Sequence, residues 1–411
     1  MTATLKDSGR RALLPPFTDE HEELRATIRR WVEAEIAPHV EEWDDAGGFP
    51  RELYNRAGEL GFLGLKYPEE LGGQGGDYVH DAVWAEELAA AGSSGGVGAG
   101  LGAHTGIATP PIWKFGTADQ HERFLRPAIA GQKIGALGIT EPGAGSDVAS
   151  IRTRADRIDG GYLVNGSKTF ITNGVRCDFL VCAVKTSPDG GHHGISFLIL
   201  ERGMPGFEVA RKLEKLGWRA SDTAELSFTD VAVPEANLLG PENGGFYLIM
   251  ANFQWERLLM ALGAVGAMRR LLDVTIAYAL EREAFGRPIG RFQSIRHKLA
   301  EVAIKMEVAR ALTYHALREF IAPELERREA IARRDWGHPS VGAGLQEVTK
   351  AKLLTQRAAV EVADECLQIH GGYGYMKEYG LERALRDLRL GPIGGGTDEI
   401  MREILGRQLG L

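Results

Sequence analysis

Cysteine is scarce in this 411-residue chain: Cys177, Cys182 and Cys366 form no CxxC pair and have no histidine at zinc-ligand spacing. So sparse and odd a set excludes a disulfide framework and a zinc site, and fits reduced, buried thiols in a cytosol-like compartment. Long apolar runs are lacking too. The longest helical one, "LLMALGAVGAM" at 258–268, is too short to cross a bilayer. The N-terminal "MTATLKDSGRRALLPPF" has no apolar segment of the secretory kind. Arg10 and Arg11 suit a short transit peptide, but Asp7 and the brevity of the stretch oppose one. A bacterial-type cytoplasmic protein is expected, or the mitochondrial matrix in a eukaryote. A basic stripe is also missing, and 48 Lys and Arg against 56 Asp and Glu leave a net charge of −8. Nucleic acid is thereby excluded as the main partner. No internal repeat is visible.

What is present is a chain too long for one simple core. Its periodicity changes twice. From Thr18 to about Ala130 the pattern is helical, with Leu24, Ile28, Trp31, Val32 and Ile36 on one face and Thr18 as a capping residue. From Gly135, runs such as "GYLVNGSKTFITNG", "DFLVCAVKT", "GISFLILERG" and "TAELSFTDVAVP" are β-branched or aromatic and bounded by turn residues, which predicts an antiparallel sheet. After Phe246 the chain is helical again, and "ERLLMALGAVGAMRRLLDVTIAYALERE" is apolar on more than one face, as in a buried bundle helix. The charged, then Gly/Pro-rich stretch at 324–344 is expected to be an exposed insertion between two bundle helices. The expected fold is α+β: an N-terminal helical domain (1–134), a central antiparallel β-barrel-like domain (135–245) and a C-terminal four-helix bundle (246–411).

Several motifs are formal matches only. "GAGLGA" at 98–103 fits a relaxed dinucleotide pattern but opens no βαβ unit. "GSSGG" at 92–96 fits a hydrolase elbow around Ser94 but follows a helix where a strand is required. "HHG" at 192–194 has no further ligands nearby and reads as a solvated turn. "ITEPGAGSD" at 139–147 is different, because Pro142, Gly143 and Gly145 form a tight turn beside Thr140, Ser146 and Asp147. It suits either contact with a cofactor's polar edge or phosphates, or an ordinary capped turn. A second polar cluster, "TFITNG", follows at 169–174.

"ITEPGAGSD", "FITNG", "EREAFGRPI…FQ", "QIHGGYGYMKEY" and "GGTDEIMREILGR" occur in the order seen in acyl-CoA dehydrogenases, and the resemblance runs from about Thr18 to Arg407. It implies the family's helical, β and four-helix domains, FAD as cofactor, and conversion of a fatty acyl-CoA to the 2,3-trans-enoyl-CoA. It further implies electron transfer to electron-transferring flavoprotein and a homotetramer or homodimer. Carried over by motif, Ile139, Thr140, Gly145, Ser146, Phe170, Ile171 and Thr172 surround the flavin. Phe170 stands where many relatives carry Trp. Arg282 and Gln293 resemble residues reaching the FAD of a neighbouring subunit, and Gln368, Gly371 and Gly372 the strip under its adenosine and pyrophosphate. Thr397 and Glu399 open the final helix against the cofactor. Ser146, Tyr247, Arg257, Gly395 and Gly396 are implied around the substrate.

Many relatives carry a catalytic glutamate where this chain has Gly395, within Gly394-Gly395-Gly396-Thr397. A subgroup that includes long-chain and isovaleryl-CoA dehydrogenases places its base on a bundle helix instead. There this chain has Glu256, in "NFQWERLLMA". By resemblance Glu256 is the base, and the backbone N–H of Gly395 serves the thioester oxygen. An α-proton of a thioester is weakly acidic, so its base needs a dry pocket and a raised pKa. "AHTGIATPPI" at 103–112 is expected at the pocket floor. Competing readings are a branched-chain or terpenoid acyl-CoA dehydrogenase, an acyl-CoA oxidase, a flavoprotein scaffold with a degenerate site and, from another class, a hydrolase using Ser94.

Overall fold

A computed structural model describes residues 16–335 and 338–411. The segment carrying Arg10 and Arg11 lies outside the described residues. The N-terminal part is helical. Its chief elements are α1 (Asp19–Glu35), α2 (Tyr78–Ala90) and α3 (Gly95–Gly102). Thr18 caps α1 in a capping box whose third helical position is His21, and Asp77 caps α2 by accepting from the Val79 and His80 N–H groups. Ile28, Trp31 and Val32 turn the apolar face of α1 inward, as the helical spacing requires.

The central part is one sheet of β1 (Gly135–Gly138), β2 (Arg154–Ile158), β3 (Gly161–Thr172), β4 (Phe179–Lys185), β5 (Ile195–Glu201), β6 (Phe207–Lys212), β7 (Thr223–Pro234) and β8 (Leu238–Leu239). The strand order is β6-β7-β3-β2-β4-β5-β8, with β1 joined to β4. The pairing is antiparallel except that β1 and β2 run parallel to β4. The sheet does not close into a barrel, since β6 and β8 are its unjoined ends. β3 and β7 lose register between Val164 and Gly166 and again between Lys168 and Ile171. The second irregularity holds Phe170 at φ 60° and leaves its ring 69% exposed. A bulge re-aims a side chain at some cost in backbone strain, about 1–3 kcal/mol for a bulky residue in this region.

The C-terminal part begins with α4 (Gly245–Glu281), followed by α5 (Gln293–Ile321), α6 (Leu345–His370), α7 (Leu381–Leu388) and α8 (Asp398–Gln408). α4, α5 and α6 pack on one another, α7 and α8 lie on α6, and α2 crosses from the N-terminal part onto α4. All three cysteines are free and buried. Among the described residues, no helix is long and apolar enough to cross a membrane.

The 324–344 stretch departs from expectation. It does lie between two bundle helices, but it is folded back rather than exposed throughout. Arg327 is 2% exposed and donates to the carbonyls of Phe320, Ser340 and Ala343 and to Glu324. One buried guanidinium thereby satisfies the orphan carbonyls of a short irregular stretch.

Candidate active site

All three parts of the chain meet around one cavity of 1570 Å³. Glu256, Met260, Gly263 and Ala267, spaced at three and four residues, turn one face of α4 into it. Ala85 and Ala89 of α2 and Gly98 and Gly102 of α3 stand on the wall as well. A Cβ added at Gly102 would meet nothing within 4 Å. The floor is thus built mainly from α2, α3 and α4. Of the 103–112 stretch, Ala103, Thr105 and Ile107 reach the cavity, whereas Pro110, Pro111 and Ile112 are buried away from it.

The two polar clusters of the β part are one structure. The Thr169 N–H donates to the Thr140 carbonyl at 2.9 Å. Glu141 accepts from the Arg152 and Thr153 N–H groups and from Lys168 Nζ at 2.7 Å, and burial of Lys168 is complete. Glu141 therefore anchors the turn, while Ile139, Thr140, Gly145 and Ser146 face the cavity beside Phe170, Ile171 and Thr172.

The glycine turn closes the other side. Gly395 and Gly396 have φ of 61° and 90°, the left-handed region that favours glycine. A Cβ on Gly395 would sit 3.7 Å from Glu256 Oε1 and 2.4 Å from Met260 Sδ. Position 395 and the Glu256 carboxylate therefore converge on the same spot. Arg257 Nε points to the Gly395 carbonyl at 3.4 Å, and Lys352 Nζ donates to the Gly396 carbonyl at 2.5 Å. Thr397 caps α8 by accepting from the Ile400 N–H.

Glu256 is half-buried by surface, because the cavity reaches it, yet its surroundings are mostly apolar. Burial pushes its carboxyl up to about 7, against the opposing charges of Arg257 and Lys352. Burial likewise lowers Arg257, and brings Lys352 down to about 8 against the pull of Asp398. A carboxyl near 7 is poised to give and take a proton at neutral pH.

Other expected site residues lie elsewhere. Arg282, Gln293, Gln368, Gly371, Gly372 and Glu399 are exposed and outside the cavity. Arg282 stands over the Tyr373 ring at 5.5 Å, so two of the distant motifs do meet at the surface. Tyr247 is half-buried at the start of α4, with its ring 5.9 Å from that of His193. The histidine turn is exposed, as expected, but it belongs to an aromatic cluster with Phe246 and Tyr247. Ser94 is the N-cap of α3, accepting from the Val97 N–H at 3.3 Å, which gives it a capping role in place of a nucleophilic one.

The chain matches the acyl-CoA dehydrogenase N-terminal domain model over residues 18–132, the middle domain model over 136–231 and the C-terminal domain model over 243–410. It is 40% identical to the mitochondrial long-chain specific acyl-CoA dehydrogenase of Mus musculus, covering 98% of this chain and 89% of that one. It is 39% identical to mitochondrial isovaleryl-CoA dehydrogenase of Solanum tuberosum, covering 96% and 91%. The crystal structure of acyl-CoA dehydrogenase from Geobacillus kaustophilus superposes with a TM-score of 0.88 at 40% identity, covering 97% of this chain and 100% of that chain. The chain belongs to the acyl-CoA dehydrogenase family, whose members are FAD-dependent oxidoreductases acting on CH–CH donors.

Sequence reasoning missed Lys352, Met260 and Asp387. Lys352 falls on the helical face marked by Val348, Ala351, Thr355, Ala359 and Val362, all buried, so its position on an apolar stripe was an available signal. Asp387 is 5% exposed, and its carboxylate accepts from the Gly95 N–H at 2.9 Å and the Trp218 N–H at 2.5 Å. Burial raises it to about 6, with the Trp218 N–H as the largest opposing effect.

Proposed function

We propose that this chain is a long-chain-type acyl-CoA dehydrogenase in which Glu256 takes the α-proton of a fatty acyl-CoA thioester. The observation that carries the reading is the Glu256 carboxylate, raised to about 7, beside the side-chain-free backbone of Gly395. The N–H groups of that turn stabilise charge on the thioester oxygen as the proton leaves. The residues around the cavity suit FAD. Phe170 is pushed out of the sheet with its ring exposed toward the cavity, ready to lie against a flat apolar ring system, with Thr172 beside it as a hydrogen-bonding edge. When bound, FAD supplies the acceptor for the β-hydride. The protein's own part is to orient the thioester, exclude water and hold the proton on Glu256.

A long acyl chain is favoured by the face of α4. From Glu256 to Arg270, both cavity residues, the helix runs about 21 Å at its usual rise. Small residues stand along that length. Arg282, Gln293, Gln368, Gly371 and Gly372 reach FAD across a subunit boundary in this proposal, which fits their exposure outside the cavity. A homotetramer is proposed on that ground, and a FAD-loaded monomer in light scattering overturns it. Electrons pass to electron-transferring flavoprotein, and the setting is a bacterial-type cytoplasm. The domain limits 1–134, 135–245 and 246–411 are part of the same proposal.

The test is anaerobic bleaching of the purified flavoprotein by straight and branched acyl-CoAs from butyryl- to stearoyl-CoA. Fastest bleaching by the longer straight chains is expected. Preference for isovaleryl-CoA makes it a branched-chain enzyme, and bleaching by no acyl-CoA overturns the function.

A further inference from the structure

Lys352 is fully buried on α6, and its ammonium donates to the carbonyl of Gly396 at 2.5 Å. A buried lysine without an acid in direct contact is costly, so its retention in a core face calls for a reason. Its position supplies one. The preceding carbonyl, that of Gly395, faces Arg257 Nε on α4 at 3.4 Å. Two cations on two helices thus hold successive carbonyls of one turn. Among the described residues, the Gly395 and Gly396 N–H groups donate to no backbone carbonyl. Carbonyl dipoles aimed at a developing oxyanion would repel it, whereas N–H groups attract it. Resting on the acyl-CoA reading above, we propose that Lys352 is a positioning residue: with Arg257 it turns the Gly395 and Gly396 carbonyls away from the thioester oxygen, and its charge acts on the Glu256 carboxylate.

The step it serves is balanced within the site. The α C–H bond breaks, the proton passes to the Glu256 carboxylate, and the electron pair moves onto the thioester oxygen. One negative charge moves from Glu256 to the substrate, and Lys352 acts both on Glu256 and on the turn proposed to receive that charge. The charges acting on Glu256 are Arg257 on its own helix and Lys352 from α6. Asp398 and Glu399, at the start of α8, are opposite in sign to Lys352, and Asp398 has its own cation in Arg357 Nε at 2.5 Å. Removing Lys352 therefore raises the Glu256 pKa further and frees the turn.

The experiment uses the FAD-loaded protein and 3-thia-acyl-CoAs. Sulfur at the β position lets the α-proton leave but prevents hydride transfer, and the enolate against oxidised flavin gives a long-wavelength absorbance. Wild type, K352M and K352R are titrated with pH. The expected result is that K352M retains FAD, while its absorbance midpoint moves to higher pH and its enolate yield at neutral pH falls about tenfold or more. K352R, which keeps the charge and a donor, stays near wild type. A wild-type midpoint in K352M, or K352R as impaired as K352M, overturns the role. If K352M does not fold, K352Q takes its place under the same criteria. A wild type that forms no enolate at any chain length overturns the acyl-CoA reading itself, and the Lys352 role with it.

Discussion

Glu256→Gln keeps volume and polarity at the cavity wall while removing the ability to accept a proton. With its carboxyl near 7, wild type holds roughly equal amounts of base and acid at neutral pH. Its rate of flavin reduction therefore rises through about pH 7 and then levels. The variant loses that limb, and its rate falls by about 10²–10⁴-fold, the usual scale for a general base. A new carboxylate at 395 tests the geometry. The Cβ direction at Gly395 leads to within 3.7 Å of Glu256 Oε1, so a glutamate there can reach the same α-proton. Two obstacles stand in its way. The backbone φ of 61° costs a non-glycine residue about 1–2 kcal/mol, and the Cβ would lie 2.4 Å from Met260 Sδ. E256Q/G395E should therefore recover little, and adding Met260→Ala should recover more by opening that space. The crowding comes from α4 and not from the neighbouring glycines. The assay is stopped-flow bleaching of the bound flavin without oxygen, using the best acyl-CoA of the chain-length series. E256Q bleaching at the wild-type rate refutes the base assignment.

The same group makes a second prediction, on stability. Its folded pKa is raised above the unfolded value of 4.5, so its contribution is fully present below that value and is lost as pH rises through about 7. E256Q should therefore gain melting temperature over wild type at about pH 8 and not at about pH 4; equal differences at both refute the burial effect. Thr172→Val removes the hydroxyl at the cavity edge and should weaken FAD retention or slow flavin reduction, measured by equilibrium dialysis and stopped flow; unchanged values show that Thr172 does not touch the flavin. Arg327→Met leaves the Phe320, Ser340 and Ala343 carbonyls unpaired and should cost about 2–4 kcal/mol, with faster protease cleavage within 338–345. Wild-type cleavage kinetics would mean that the clamp is unimportant.

The three-part order was legible because periodicity switches from helical to alternating and back, and helices and strands bury different faces. Glu256 was legible through the resemblance of "NFQWERLLMA" to the subgroup with its base on a bundle helix, strengthened by the absence of an acid at position 395. What escaped depends on partners far away in sequence. The parallel pairing of β1 with β4 joins segments some forty residues apart, and local alternation is the same for either direction. Phe170 carries no mark of its bulge, since the register slip is set jointly by β3 and β7. Arg327 lies in a charged stretch that resembles solvated surface, and only the folding-back of 339–344 buries it. Lys352 sits in "TKAKLLTQ", where a lysine is ordinary until its neighbours' burial is known.

The Asp387 carboxylate, bonded to amides of Gly95 and Trp218, also bears on how the molecule is made. These contacts span 292 and 169 positions of the chain. A ribosome releases residues in order, so α3 and the Trp218 turn emerge long before their shared acceptor does. Local helices and hairpins can form during synthesis, but the wall that joins all three parts must wait for α7. Contacts of such long range slow folding, because loop closure precedes any gain from them. Until then the apolar lining of α2, α3 and the first turns of α4 stays open to water and to other chains. The nascent protein is consequently most vulnerable to aggregation just before its last few dozen residues arrive, and a truncation before residue 387 should leave it in that state permanently.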